Sequence, residues 1–155
     1  MKGSEKVIAD LNSRLAEELT AISQYMVHAE LCEDWGYGKL HEAIEKRSID
    51  EMKHAEKLIE RILFLEGKPV VSKLNPMQIG EEVKAILEND LKAEVDAVKA
   101  YNASIKLAGG ESDFGTREVL EGILKDEEDH IDTLESQLDQ IQQMGLEIFL
   151  AQQLS

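Results

Sequence analysis

Cysteine and tryptophan occur once each, proline twice and phenylalanine three times in 155 residues, and basic side chains number only 17 against 32 acidic ones. A single cysteine, Cys32, excludes an internal disulfide and any metal knot built from four thiolates, and it suits a reducing interior. The shortage of proline and of bulky strand formers, beside abundant alanine, leucine, isoleucine, glutamate and lysine, predicts an all-α chain. No apolar run approaches the roughly 20 residues of a membrane span. The opening Met1-Lys2-Gly3-Ser4-Glu5-Lys6 turns charged too early for a secretion signal, so a cytoplasmic location is expected. A net charge of −15 repels nucleic acid and anionic membrane and concentrates cations near the surface. The length suits one domain, residues 1–155, with a sizeable core.

What is present is a helical apolar period with clear punctuation. It predicts helices at about 5–35, 39–66, 81–108 and 115–144, then a short one at 146–153. The joints near Gly36 and Gly109 are short, so the first two helices form an antiparallel pair, as do the third and fourth. Residues 67–80, with Pro69, Asn75 and Pro76, lack period and read as a loop. At about 3.3 Å per residue such a loop can cross the length of a bundle, roughly 45 Å. The third helix would then run parallel to the second. This is a four-helix bundle with one long crossover connection, the ferritin-like arrangement, and the two hairpins would be related by a pseudo-twofold axis.

Two Glu-x-x-His motifs, Glu51 to His54 and Glu127 to His130, each follow another glutamate, Glu18 or Glu94, by 33 residues. The helical wheel puts all four glutamates on core faces: Glu18 with Leu11, Ile22 and Tyr25, Glu51 with Ile44, Leu58 and Ile62, Glu94 with Leu87, Leu91 and Ile105, Glu127 with Leu120, Ile123 and Leu134. The joints bring each set to mid-bundle. Unpaired carboxylates there would cost several kcal/mol each or take up protons. Two divalent ions balance four carboxylates, and mixed carboxylate and imidazole ligation suits iron or manganese. A solvated glutamate face explains one isolated Glu-x-x-His, but not its doubling at equal spacing on apolar faces. Tyr25 and Tyr101 each follow the lone glutamate by seven, and Asp50 and Asp126 each precede the paired one, so a tyrosine hydroxyl can reach a ligand carboxylate across the bundle and an inward aspartate can orient a histidine.

These motifs, the opening Met1-Lys2-Gly3, the stretch Ser48-Ile49-Asp50-Glu51-Met52-Lys53-His54-Ala55-Glu56 and the stretch Asp126-Glu127-Glu128-Asp129-His130-Ile131-Asp132 make the chain resemble bacterioferritins nearly end to end. The resemblance implies a di-iron ferroxidase centre of Glu18, Glu51, His54, Glu94, Glu127 and His130, with Glu51 and Glu127 bridging. It implies oxidation of Fe2+ by dioxygen or hydrogen peroxide and storage of ferric mineral. It further implies a homo-oligomer, a shell of 24 subunits built from dimers and served by a ferredoxin-type reductant.

Met52 lies about 100° off the ligand face, beside the apolar stripe of Ile59 and Leu63, and from the residues alone it reads as a subunit-contact residue. The resemblance makes it the axial ligand of a haem b shared between two subunits. Familiar relatives carry a histidine where this chain has Lys46; with Asp50 that histidine serves an iron site on the cavity wall, and a lysine is a poor substitute. Asp34, Glu66, Asp132 and Asp139 resemble acidic pore linings, but each reads first as a plain solvated helix residue, and His28 and His41 read as surface or packing residues. A haem-free ferritin and a rubrerythrin-like peroxidase are the alternatives; the latter usually carries a four-cysteine rubredoxin module that one cysteine cannot build.

Overall fold

The computed structural model describes residues 1–154 and contains five helices and no strand among them. They are α1 (Glu5–Asp34), α2 (Gly38–Phe64), α3 (Val83–Gly110), α4 (Phe114–Met144) and the short α5 (Leu146–Ala151). Ser4 caps α1 by accepting from the Val7 amide, and Asp113 caps α4 by accepting from the Thr116 amide at 3.0 Å. Helix α3 begins two residues later than its apolar period suggests, because Glu82 is extended at φ −149° and ψ 164°. It also continues through Gly109 and Gly110 instead of stopping at them.

The α1 to α2 turn uses Gly36 at φ +85°, which lets the Tyr37 amide close back on the Cys32 carbonyl at 2.9 Å. The end of α2 works differently. Glu66 itself takes the left-handed position at φ 63°, and Gly67 is required for room: a Cβ there would stand 2.6 Å from Ile8 Cγ2.

Side-chain bonds fix the helix directions. Arg14 reaches Ser104 and Tyr25 reaches Glu94, so α1 and α3 are antiparallel. Arg61 reaches Thr116 and His130 reaches Asp50, so α2 and α4 are antiparallel too. Helix α3 therefore runs parallel to α2, which only a full-length crossover permits.

That crossover, residues 65–82, lies along α1 as a strap. Asn12 accepts from the Val70 amide at 2.9 Å, Thr20 from Asn75 at 2.8 Å, Gln24 from Gln78 at 3.0 Å and His28 from Gly80 at 2.9 Å. From Asn12 to His28 is about 24 Å of helix at 1.5 Å per residue, so the strap need not be fully extended. Four of its backbone amides, which have no ladder of their own, are satisfied by α1 side chains.

The core divides into two apolar clusters. One, at the α2 C-terminal end, contains Leu11, Leu15, Leu58, Ile62, Leu120 and Ile123. The other, at the opposite end, contains Cys32, Leu40, Ile44, Leu87, Leu134 and Phe149, the last of which docks α5. Each fully buried leucine or isoleucine contributes roughly 1.5–3 kcal/mol. A polar layer at mid-bundle separates the clusters, and four glutamates lie in it.

Candidate metal centre

One turn of each long helix builds this layer. Glu18 comes from α1, Glu51 and His54 from α2, Glu94 from α3, Glu127 and His130 from α4. All four glutamates are 2 % exposed or less. The residues form two groups whose donor atoms lie within 4.8 Å of one another: Glu18, Glu51, His54 and Glu127, and Glu51, Glu94, Glu127 and His130. Glu51 and Glu127 belong to both.

Each imidazole presents one nitrogen to this cluster and the other to an outer carboxylate. His54 Nε2 lies 2.8 Å from Asp126 Oδ2, and His130 Nε2 lies 3.1 Å from Asp50 Oδ2. That bond places a proton on Nε2 and turns Nδ1 inward, where the ring offers a lone pair once it is neutral. Each outer partner comes from the opposite hairpin. The tyrosines cross over in the same manner: Tyr25 of α1 donates to Glu94 Oε1 at 2.7 Å, and Tyr101 of α3 donates to Glu18 Oε1.

The inward atoms have no such partners. Glu18 Oε2, Glu51 Oε1, His54 Nδ1, Glu94 Oε2, Glu127 Oε1 and His130 Nδ1 are all buried without a hydrogen bond. His54 Nδ1 stands 3.1 Å from Glu127 Oε1, and His130 Nδ1 stands 3.0 Å from Glu51 Oε1, but these contacts lack hydrogen-bond direction. Six unpartnered donor atoms in a buried layer would be very costly in an apolar core, and a divalent cation for each group satisfies them all.

The electrostatics agree. Burial, then the neighbouring Glu18 charge, pushes Glu51 and Glu127 well above the usual carboxylate range. Burial works the same way on Glu18, but the close approach of Glu51 and His54 and the hydroxyl of Tyr101 outweigh it and hold that carboxyl below its ordinary value. Burial disfavours charge on His54 and His130, yet the surrounding carboxylates win and raise both imidazoles. Four carboxylates cannot all stay ionised here without compensating positive charge.

A cavity of about 270 Å³ reaches Glu18, Glu51 and Glu127 from the side, between α1, α3 and the strap. Glu17 and Asp96 line it further out, with Asn75 and Pro76 of the strap. Glu17 and Asp96 carry no motif that marks them in the sequence, and neither does a second buried polar cluster. Asp90 is fully buried and accepts from Gln24 at 2.9 Å, His28 at 2.8 Å and Arg47 at 2.7 Å. The Arg47 guanidinium also lies over the Tyr25 ring, 4.5 Å from its centroid. His28 thus packs inside, while His41 bonds through Nδ1 to the Ala29 carbonyl at 3.0 Å. An aspartate at a core position of α3 was the signal available in sequence.

Met52 is 45 % exposed and stands apart from the buried donors, on the outer side of α2 with exposed Ile49 and Leu63. Lys46, also exposed, forms an ion pair with Asp50 at 3.3 Å.

A bundle with this crossover and a carboxylate and imidazole cluster at its centre is of the ferritin-like class, and a family model described as a ferritin-like domain matches residues 8–144. Curated bacterioferritins are similar over nearly the whole chain. That of Brucella melitensis is 45 % identical, covering 95 % of this chain and 91 % of its own. That of Rhodobacter capsulatus is 46 % identical, covering 94 % and 90 %, and that of Streptomyces coelicolor is 40 % identical, covering 97 % and 90 %. The chain belongs to the bacterioferritin family.

Proposed function

We propose that this chain stores iron, and that Glu18, Glu51, His54, Glu94, Glu127 and His130 hold two ferrous ions for oxidation. The observation that carries the proposal is the convergence of six buried donor atoms without partners in two groups that share Glu51 and Glu127. Glu18 and His54 would serve one ion, Glu94 and His130 the other, and Glu51 and Glu127 both. Each ferrous substrate ion gives up one electron to dioxygen or hydrogen peroxide, so the pair supplies a two-electron reduction. The protein's part is to fix geometry and charge. Tyr25 and Tyr101 hold the carboxylates of Glu94 and Glu18, and Asp50 and Asp126 hold the rings of His130 and His54. The cavity past Glu17 and Asp96 gives the ions an acidic approach.

Family membership supports the rest of the reading: a homo-oligomeric shell of 24 subunits assembled from dimers, ferric mineral inside it, a ferredoxin-type reductant for release, and a cytoplasmic setting. No helix among the described residues is long and apolar enough to cross a membrane. The exposed thioether of Met52, on an apolar outer stripe, is the group that would hold a haem b at a twofold subunit contact. When bound, that haem would supply a one-electron redox centre.

Glu18→Ala and Glu94→Ala test the centre. Each should abolish rapid ferrous oxidation in stopped-flow absorbance while circular dichroism still shows a folded bundle. Rapid oxidation surviving both substitutions would show the site to be wrongly placed. Met52→Leu should remove the Soret band from protein isolated with haem; a haem-free native protein would point to the ferritin alternative.

A further inference from the structure

The two halves of the bundle repeat at a shift of 76 residues: Glu18 corresponds to Glu94, Tyr25 to Tyr101, Asp50 to Asp126, Glu51 to Glu127 and His54 to His130. The repetition fails one helical turn before each aspartate. There α2 has Lys46 and α4 has Gly122. Lys46 Nζ lies 3.3 Å from Asp50 Oδ2, the same oxygen that holds His130 Nε2 at 3.1 Å. Asp126 Oδ2 holds His54 Nε2 at the shorter distance of 2.8 Å, and among the described residues it has no lysine or arginine ion pair.

A carboxylate behind a ligating imidazole makes the ring a stronger donor and fixes its orientation. An ammonium on the same carboxylate oxygen draws off part of that charge. Asp126 is the more exposed of the two aspartates, 47 % against 25 %, so water competes for it. A full cation on the bonded oxygen withdraws more than a water dipole does. Exposure of the rings adds to the difference, since the His130 side chain is 12 % exposed and that of His54 only 1 %.

We propose that Lys46 weakens the hold of the Glu94 and His130 half on a divalent cation, so that the two positions fill in order, the Glu18 and His54 position first. The proposal rests on the metal-centre reading above and adds to it a residue that touches no metal. Lys46 acts by positioning charge on Asp50, and through it on His130.

The test uses cobalt(II) on the full-length metal-free protein. Anomalous diffraction from crystals loaded with one cobalt per chain should show the Glu18 and His54 position dominant in the wild type. Lys46→Met should bring the two occupancies together, while Lys46→Arg, which keeps the charge, should leave the wild-type ratio. In calorimetry the weaker step should tighten about threefold to tenfold in Lys46→Met, less than the ~10–100-fold typical of losing an outer partner outright. Lys46 is 78 % exposed, so the substitution leaves the core intact, and helix content by circular dichroism checks this. Equal wild-type occupancies, or an unchanged ratio in Lys46→Met, would overturn the Lys46 inference while sparing the metal centre. Cobalt absent from both positions would overturn the metal centre and this inference with it.

Discussion

Replacing Asp90 by alanine removes one fully buried carboxylate and strands three donors. Gln24 and His28 lose hydrogen bonds of 2.9 and 2.8 Å, and the Arg47 guanidinium loses its 2.7 Å ion pair. Arginine cannot escape by deprotonation, and Asp90 raises Arg47 further against the opposing effect of burial. With Arg47 only 7 % exposed, what it keeps is the Tyr25 ring at 4.5 Å and the more distant charge of Glu94. Breaking a buried charge pair in this way costs about 3–5 kcal/mol, which in a chain of this size lowers Tm by about 8–15 °C. Asp90→Asn, which keeps an acceptor but no charge, should cost less.

The pH dependence has a definite sign. Burial raises Asp90, but Arg47 and His28 outweigh it and leave its pKa below the ordinary 3.8. Its contribution is therefore present above 3.8 and is lost as pH falls toward the lowered value. The difference between wild type and Asp90→Ala should stay constant near neutrality and shrink below about pH 4. Calorimetric melts of metal-free protein, at one fixed protein concentration, measure it. A loss under about 1 kcal/mol, or a difference that widens in acid, would refute the argument.

Other expectations concern the centre and the strap. Tyr101→Phe removes the hydroxyl that holds Glu18 and should weaken cobalt(II) binding by about 10–100-fold in calorimetry with helix content unchanged. Gly67→Ala places a methyl 2.6 Å from Ile8 Cγ2, so it should cost about 1–3 kcal/mol in thermal melts while leaving metal stoichiometry intact. Raised pKa values on His54, His130, Glu51 and Glu127 mean that incoming cations displace protons. Those groups stabilise the metal-free fold below their unfolded pKa values, and that contribution is lost as pH rises through the folded ones. Metal-induced stabilisation should accordingly be larger at about pH 8 than at about pH 6, and parallel melts with and without cobalt(II) measure the gap.

Much of the fold was legible because its signals are local. Helix periods, the Gly36 joint and the length of the segment between α2 and α3 together imply two hairpins and a crossover, and the class follows. Helix ends were less legible. The loop from residue 67, with Pro69, suggested a stop after Glu66, whereas Glu66 is itself the left-handed residue and Gly67 makes room for Ile8. Gly109 and Gly110 suggested a stop but lie within the last turn of α3, where nothing in their own backbone requires a break. Asp90 was missed because its three partners come from two other helices, at separations of 43 to 66 residues that no spacing rule relates.

An all-helical chain and the repeated Glu and Glu-x-x-His pattern on apolar faces can be read from residue order alone. Both depend on the 3.6-residue turn, which is a local property of the chain. The particular partner that each group meets follows from the packed bundle. Tyr25 bonds Glu94 and not its own-half Glu18, His54 meets Asp126, His130 meets Asp50, and the strap hangs its amides on α1. Those pairings depend on how far one helix slides against another. That register is set by packing of the two apolar clusters on either side of the carboxylate layer, which no stretch of sequence contains alone.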